Sequence, residues 1–309
     1  MKCVVVGAGG VGGYFGGRLA AAGHDVALVA RGPHLAAIRE RGLRVRSILG
    51  DVEVTLPASD DPAELGPCDV VLFCVKAYDS ATAVAALPPL IGADTVVLPF
   101  LNGIEHIAQL AALLGPAHVA GGAAYIFSSI AEPGVVVHTG GPARLVFGEL
   151  DGRPSARLEG FGKACRDSGV NAAIADDIRQ VMWSKLAFIC ATAGMTAAVR
   201  LPLGDIRQCA ESWLMYRHLV EEVVAVARAE GVPLGPDVVD EQVAFATSLA
   251  PDSYSSLHHD LVSERPMELD ALHGAVLRLA AGHGLEVPAT EAVYRILRPW
   301  AVRNAGLRG

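Results

Sequence analysis

Val4-Val5-Val6-Gly7-Ala8-Gly9-Gly10-Val11-Gly12 decides how the rest of the chain is read. A short apolar run enters a glycine-rich turn, and a helix-like pattern follows. Gly7, Gly9 and Gly12 keep the spacing G-x-G-x-x-G. Gly7 permits a tight turn out of a strand, Gly9 lets a pyrophosphate approach the backbone, and Gly12 lets the next helix lie close to a sheet. The N-terminus of that helix offers unpaired N–H groups and a partial positive charge to phosphates. Glycines at this spacing are often an ordinary turn. A strand before and a helix after supply the context that nucleotide binding requires.

Outward from this loop, the first half alternates strand and helix. Strands are expected at 2–6 and 25–29, a hairpin at 43–46 and 51–56, and fully apolar strands at 70–75 and 95–98. Helices are expected at 10–22, from about 34, and at 104–114, with a further strand at 118–123. Short apolar strands between helices indicate a parallel sheet buried on both faces, hence a doubly wound α/β fold. Strands at 125–129, 135–138 and 144–147, separated by turn residues, suggest an antiparallel extension of that sheet. A helix at 155–168 follows. After about Asn171 strand signals stop, and helical periodicity covers 178–199, 205–230, 236–249, 254–263 and 268–283, with a last helix from about Thr290. The expected division is a nucleotide-binding domain over 1–171 and an all-helical domain over 172–309, with the cleft between them as the default active site.

The 309 residues are 52% hydrophobic and 19% charged, enough for two cores. A formal net charge of -8 with no long basic block argues against nucleic acid. Mean hydropathy is high at +0.39, yet charges or glycines interrupt the apolar runs before membrane-spanning length. The apolar start reaches a glycine loop, not a small-residue cleavage site, so it is not read as a signal peptide. The cysteines (Cys3, Cys68, Cys74, Cys165, Cys190, Cys209) form no C-x-x-C pair and read as buried free thiols in a reducing cytoplasm. No histidine spacing suggests a metal; His258-His259 reads as a helix surface.

The residue ending the second strand selects the cofactor. An acid there would bind the ribose hydroxyls of NAD, whereas Val29-Ala30-Arg31-Gly32 offers a guanidinium to a 2′-phosphate and favours NADP. Lys76 and Asn102 stand at the carboxyl ends of two strands, where open α/β sheets place ligands, although a lysine there can be a simple loop charge. Lys185 is the sole charge in the long apolar segment from Trp183 through Met195. It either snorkels to the surface or serves as a general acid. Glu268 is either a carboxylate favoured at a helix N-terminus or the group that orients Lys185. Ser255 and Ser256 sit where helix caps are common.

With Gly7 to Gly12, Arg31, Lys76, Asn102, Lys185 and Glu268 in chain order, the sequence resembles the ketopantoate reductase (2-dehydropantoate 2-reductase) family over essentially its whole length. Lys2-Cys3-Val4 through Gly12, Val75-Lys76-Ala77-Tyr78, Leu101-Asn102-Gly103, Trp183-Ser184-Lys185-Leu186 and Gly284-Leu285-Glu286-Val287-Pro288 carry the likeness. The resemblance implies a Rossmann domain followed by a helical domain similar to that of 6-phosphogluconate dehydrogenase, and NADPH-dependent reduction of 2-dehydropantoate to pantoate in the pathway to pantothenate and coenzyme A. It implies that Gly7, Ala8, Gly9, Gly10, Val11 and Gly12 cradle the pyrophosphate and that Arg31 meets the 2′-phosphate. Lys76 and Asn102 would line the nicotinamide end, Asn102 also reaching substrate. Lys185 would be the general acid, with Glu268 its partner and a substrate contact, and Ser256 would bind the substrate carboxylate.

The chain departs from the family where asparagines face the substrate: Ile189, Ala193 and Leu203 stand there, with Thr192 as a replacement hydroxyl. A pocket that loses such donors loses discrimination for a hydroxylated substrate, so a less polar 2-oxo acid or ketone is the alternative. A non-catalytic NADPH sensor is the alternative of another class. The expected assembly is a cytoplasmic homodimer.

Overall fold

The apolar opening is a strand, β1 (Lys2–Val6), in the middle of a parallel sheet. The computed structural model describes residues 1–307. They form two units: 1–101 with 106–178, and 102–105 with the chain from 179 onward.

In the first unit, β1 is followed by α1 (Gly10–Ala21), β2 (Asp25–Val29), α2 (Gly32–Arg41), β3 (Leu43–Ser47), β4 (Val52–Val54), β5 (Ala58–Ser59) and β6 (Cys68–Phe73). Then come α3 (Ser80–Ala85), β7 (Ile91–Pro99), α4 (His106–Leu114), β8 (Gly121–Glu132), β9 (Val135–Gly148), α5 (Ala156–Asp167) and β10 (Asn171–Ile174). The first sheet has the order β5-β2-β1-β6-β7, every pair parallel. Val4, Val5, Val71, Leu72, Val96 and Val97 within it are fully buried, as a sheet covered on both faces requires.

The remaining strands do not extend that sheet. They build a second one, β10-β9-β3-β4, with β8 on the other edge of β9. The expected strands at 125–129, 135–138 and 144–147 are parts of the two long strands β8 and β9. One edge of β9 is shared: its start runs parallel to β3 and its end parallel to β10. β10 also corrects the expectation that strands end at 171. Because it pairs with β9, it holds the chain in the first unit, and the division falls after 178 rather than 171.

Helix α1 lies between the sheets. A Cβ on Gly12 or Gly16 would stand 2.7 and 2.9 Å from the methyls of Val5 in the first sheet. On Gly13 or Gly17 it would stand 2.7 and 2.9 Å from Val136 and Val45 in the second. Residues four apart share a helix face, so two glycine rows let two sheets approach one helix.

The second unit consists of α6 (Ile178–Val199), α7 (Leu203–Gln208), α8 (Ala210–Ala229), α9 (Val238–Ser248), α10 (Ser256–Val262), a π-helical turn (Asp270–Gly274) continuing as α11 (Ala275–Gly282), and α12 (Pro288–Gly306). The single helix expected at 205–230 is broken at Cys209, which is exposed, unlike the buried thiol expected there. By length and composition α6 could cross a bilayer, but 67% of its apolar window is buried. Leu186, Ala187, Cys190, Ala191 and Ala193 place it at the centre of the helical core. The N-terminus of α12 is capped from another helix: Glu222 accepts from the N–H groups of Ala289 and Thr290 and from the Thr290 hydroxyl, each at 2.7 Å.

Candidate active site

The glycine loop joins β1 to α1. Gly7 has φ +96°, and a Cβ there would lie 2.8 Å from the Cys74 carbonyl, so both conformation and space demand glycine. Gly12 meets the Gly7 carbonyl and Val5 and has no room for a side chain. Gly10 faces the Ser128 carbonyl of β8, so its glycine serves packing. Gly9 differs: nothing lies within 4 Å of its open side. Among Gly7, Gly9, Gly10 and Gly12 it is the one whose missing side chain protein packing does not require. Ala8 is buried and Val11 half-buried.

Sequence reasoning missed His34, the residue that fixes this loop. Its Nδ1 accepts from the Gly134 N–H at 3.0 Å, so Nε2 carries the proton and donates to the Ala8 carbonyl at 2.8 Å. Burial pushes its pKa down, which favours the neutral form this geometry needs. A histidine in the first turn of a surface helix gives no sequence signal of such a role.

Arg31 follows β2, and its side chain is 73% exposed. Its Nη2 pairs with Asp79 Oδ2 at 2.5 Å. Lys76 is exposed at the end of β6 and opens the short turn Ala77–Asp79, closed by the Asp79 N–H on the Lys76 carbonyl at 2.9 Å.

Lys76 and Asn102, expected as counterparts at two strand ends, belong to different units. Asn102 is half-buried and groups with the helices. Gly103, at φ +93°, lies so close to the π-helical turn that a Cβ would be 2.8 Å from the Ala271 carbonyl. Arg278 grips Glu105 with two hydrogen bonds of 2.9 and 2.6 Å and donates to the Asp270 carbonyl at 2.9 Å. These contacts put Asn102 in the same unit as Lys185 and Glu268.

Lys185 is half-buried in α6, and Glu268 is 5% exposed just before the π-helical turn. Burial pulls the Lys185 ammonium down to about 8, and the negative charge of Glu268 opposes that fall. The run leading to Glu268 is anchored: Arg265 donates to Asp260 Oδ1 at 2.9 Å, and Asn304 donates to the Arg265 carbonyl at 3.0 Å. His273, fully buried in the π-helical turn, donates from Nε2 to the Cys190 carbonyl of α6 at 3.0 Å. The two elements carrying Lys185 and Glu268 are thereby tied together.

Thr192 does not present the free hydroxyl expected of it. The residue is 6% exposed, and its hydroxyl bonds Tyr216 Oη at 2.8 Å, because a hydroxyl inside a helical core needs a partner there. Ala193 and Leu203 are core residues, while Ile189 is half-buried. Ser255 caps α10 by accepting from the His258 N–H at 3.1 Å; Ser256 beside it is exposed.

A glycine loop on a doubly wound parallel sheet is the form of a nucleotide-binding domain, and the family comparisons put the chain among oxidoreductases. Residues 3–152 match the family Ketopantoate reductase PanE/ApbA, and 177–301 match Ketopantoate reductase PanE/ApbA C terminal. The chain belongs to the ketopantoate reductase family, with its Rossmann-type sheet and a helical domain of the kind expected from 6-phosphogluconate dehydrogenase. It is 35% identical over 298 residues to the uncharacterized oxidoreductase YkpB of Bacillus subtilis, covering 96% of this chain and 98% of the relative. It is 32% identical over 302 residues to a 2-dehydropantoate 2-reductase of Halobacterium salinarum, again covering 96% and 98%. The crystal structure of a PanE/ApbA family ketopantoate reductase from Ralstonia eutropha superposes with a TM-score of 0.90 at 34% identity, covering 99% of this chain and all of that one.

Proposed function

We propose that the chain is an NADPH-dependent reductase of a 2-oxo acid, with 2-dehydropantoate as the leading substrate and pantoate as the product. The observation that carries this reading is the desolvated Lys185 ammonium beside buried Glu268. An amine pulled to about 8 keeps its proton at neutral pH yet releases it readily.

The loop residues fit a dinucleotide. The open side of Gly9 admits a pyrophosphate, and Gly7, Ala8, Gly10, Val11 and Gly12 shape the surrounding backbone. Arg31 would hold the 2′-phosphate, with Lys76 and Asn102 at the nicotinamide end. When bound, the dinucleotide would supply the hydride for the carbonyl carbon. Lys185 Nζ gives its proton to the carbonyl oxygen and stabilises the charge developing there. Glu268 keeps Lys185 charged and oriented, and Asn102 and Ser256 bind the substrate.

A second reading keeps this chemistry and changes the substrate. Ile189, Ala193 and Leu203 are apolar and the Thr192 hydroxyl is held by Tyr216, which favours a less polar 2-oxo acid or ketone. We place the enzyme in the cytoplasm as a homodimer, joined through helical-unit surfaces where Leu214, Ile296 and Val302 are exposed.

NADPH consumption across 2-dehydropantoate and a panel of less polar 2-oxo acids and ketones decides between the readings. Lys185→Ala should lower kcat by about a hundredfold or more while leaving NADPH binding nearly unchanged. Turnover that survives the substitution overturns the role of Lys185. NADPH binding with no turnover of any carbonyl compound would identify a sensor instead.

A further inference from the structure

Arg31 and Asp79 stand on opposite sides of the glycine loop. Arg31 follows β2 and Asp79 follows β6, and the sheet order places β1 between them. Two strand spacings are about 10 Å, and the ion pair between Arg31 Nη2 and Asp79 Oδ2 spans that gap, joining the segments that leave the two strands flanking β1. The Asp79 side chain is 21% exposed and the Arg31 side chain 73%, so most of the guanidinium is open to a ligand while one corner is taken.

We propose that Asp79 sets the selectivity between 2′-phosphorylated and unphosphorylated nicotinamide dinucleotides by competing for Arg31. The proposal rests on the reading of Arg31 as the 2′-phosphate ligand. A phosphate at Arg31 must share or displace the carboxylate and then lies near its negative charge. A cofactor with a free 2′-hydroxyl brings no such charge and leaves the pair intact, with a carboxylate nearby to accept from that hydroxyl. Asp79 thus takes the part of the acid that the end of β2 lacks, reaching the same place from another strand. A carboxylate held on the order of 6 Å from a phosphate dianion in a high dielectric opposes binding by a factor of about ten.

The experiment measures kcat/KM and fluorescence-titrated Kd for NADPH and NADH in the wild type, Asp79→Asn, Arg31→Ala and the double variant, at low and high ionic strength. Asp79→Asn should raise the NADPH:NADH ratio of kcat/KM about tenfold. The gain should shrink with added salt and vanish when Arg31 is also alanine. An unchanged ratio in Asp79→Asn overturns the proposal, as does a lower one, which would make Asp79 a residue that orients Arg31 for phosphate. If Arg31→Ala weakens both cofactors equally, the reading of Arg31 itself fails, an outcome distinct from an unresponsive Asp79.

Discussion

At the residue scale the site turns on a charge kept where water is scarce. Lys185 sits at about 8 because burial outweighs the attraction of Glu268. With the protonated amine as the proposed general acid, kcat/KM for reduction should fall as pH rises through about 8. Glu268→Gln removes the opposing charge and should lower the Lys185 pKa further, moving that alkaline limb toward lower pH. A pH–rate profile checks the sign, and a limb that stays in place or moves up refutes the pairing. Gly7 and Gly12 were legible from the sequence because their spacing marks a tight turn and a close helix–sheet approach, whereas residue pattern alone left two readings open for Lys185 and for Glu268 and only the family resemblance chose between them. Thr192 was not legible, because periodicity gives a helix face without saying what packs on it, and Tyr216 comes from α8. Asp79 and His34 were hidden because their partners, Arg31 and Gly134, are far away in sequence.

At the element scale α1 separates fold from function. Gly12→Ala would drive a methyl into the Gly7 carbonyl and should cost several kcal/mol of stability or prevent folding. Gly9→Ala meets nothing and should leave the Tm within a few degrees, yet weaken NADPH binding about tenfold or more. Thermal melts beside cofactor titrations test this, and a Gly9 variant that binds NADPH normally removes the loop's assigned role. The parallel strands were legible because they are short apolar runs buried on both faces. The second sheet was not, because β9 is lined by β3 and β10 on one edge and β8 on the other, and local pattern does not encode such distant partners. The π-helical turn beside Glu268 likewise carries no sequence mark distinguishing it from an α-helix.

At the scale of the whole molecule, acid should act on the helical unit through His273. Burial pushes this histidine down to about 4, below its ordinary value. The unfolded chain therefore binds a proton that the native unit refuses, and stability is full above about 6.5 and lost as pH falls toward 4. The loss should come to about 2 kcal/mol between pH 7 and 4.5, read from urea midpoints. His273→Gln should flatten that slope, and an unchanged slope would assign the acid lability elsewhere. His258, in the same unit, is shifted in the same direction and adds to the trend. The placement of α1 also bears on how the chain is born. Gly10, Gly12, Gly13, Gly16 and Gly17 make it a poor helix by itself, each glycine costing about 1 kcal/mol against alanine. One of its walls is built from Val136 and Ser128, far downstream. On the ribosome, then, α1 must wait, half-clothed, for more than a hundred later residues before its surroundings can set.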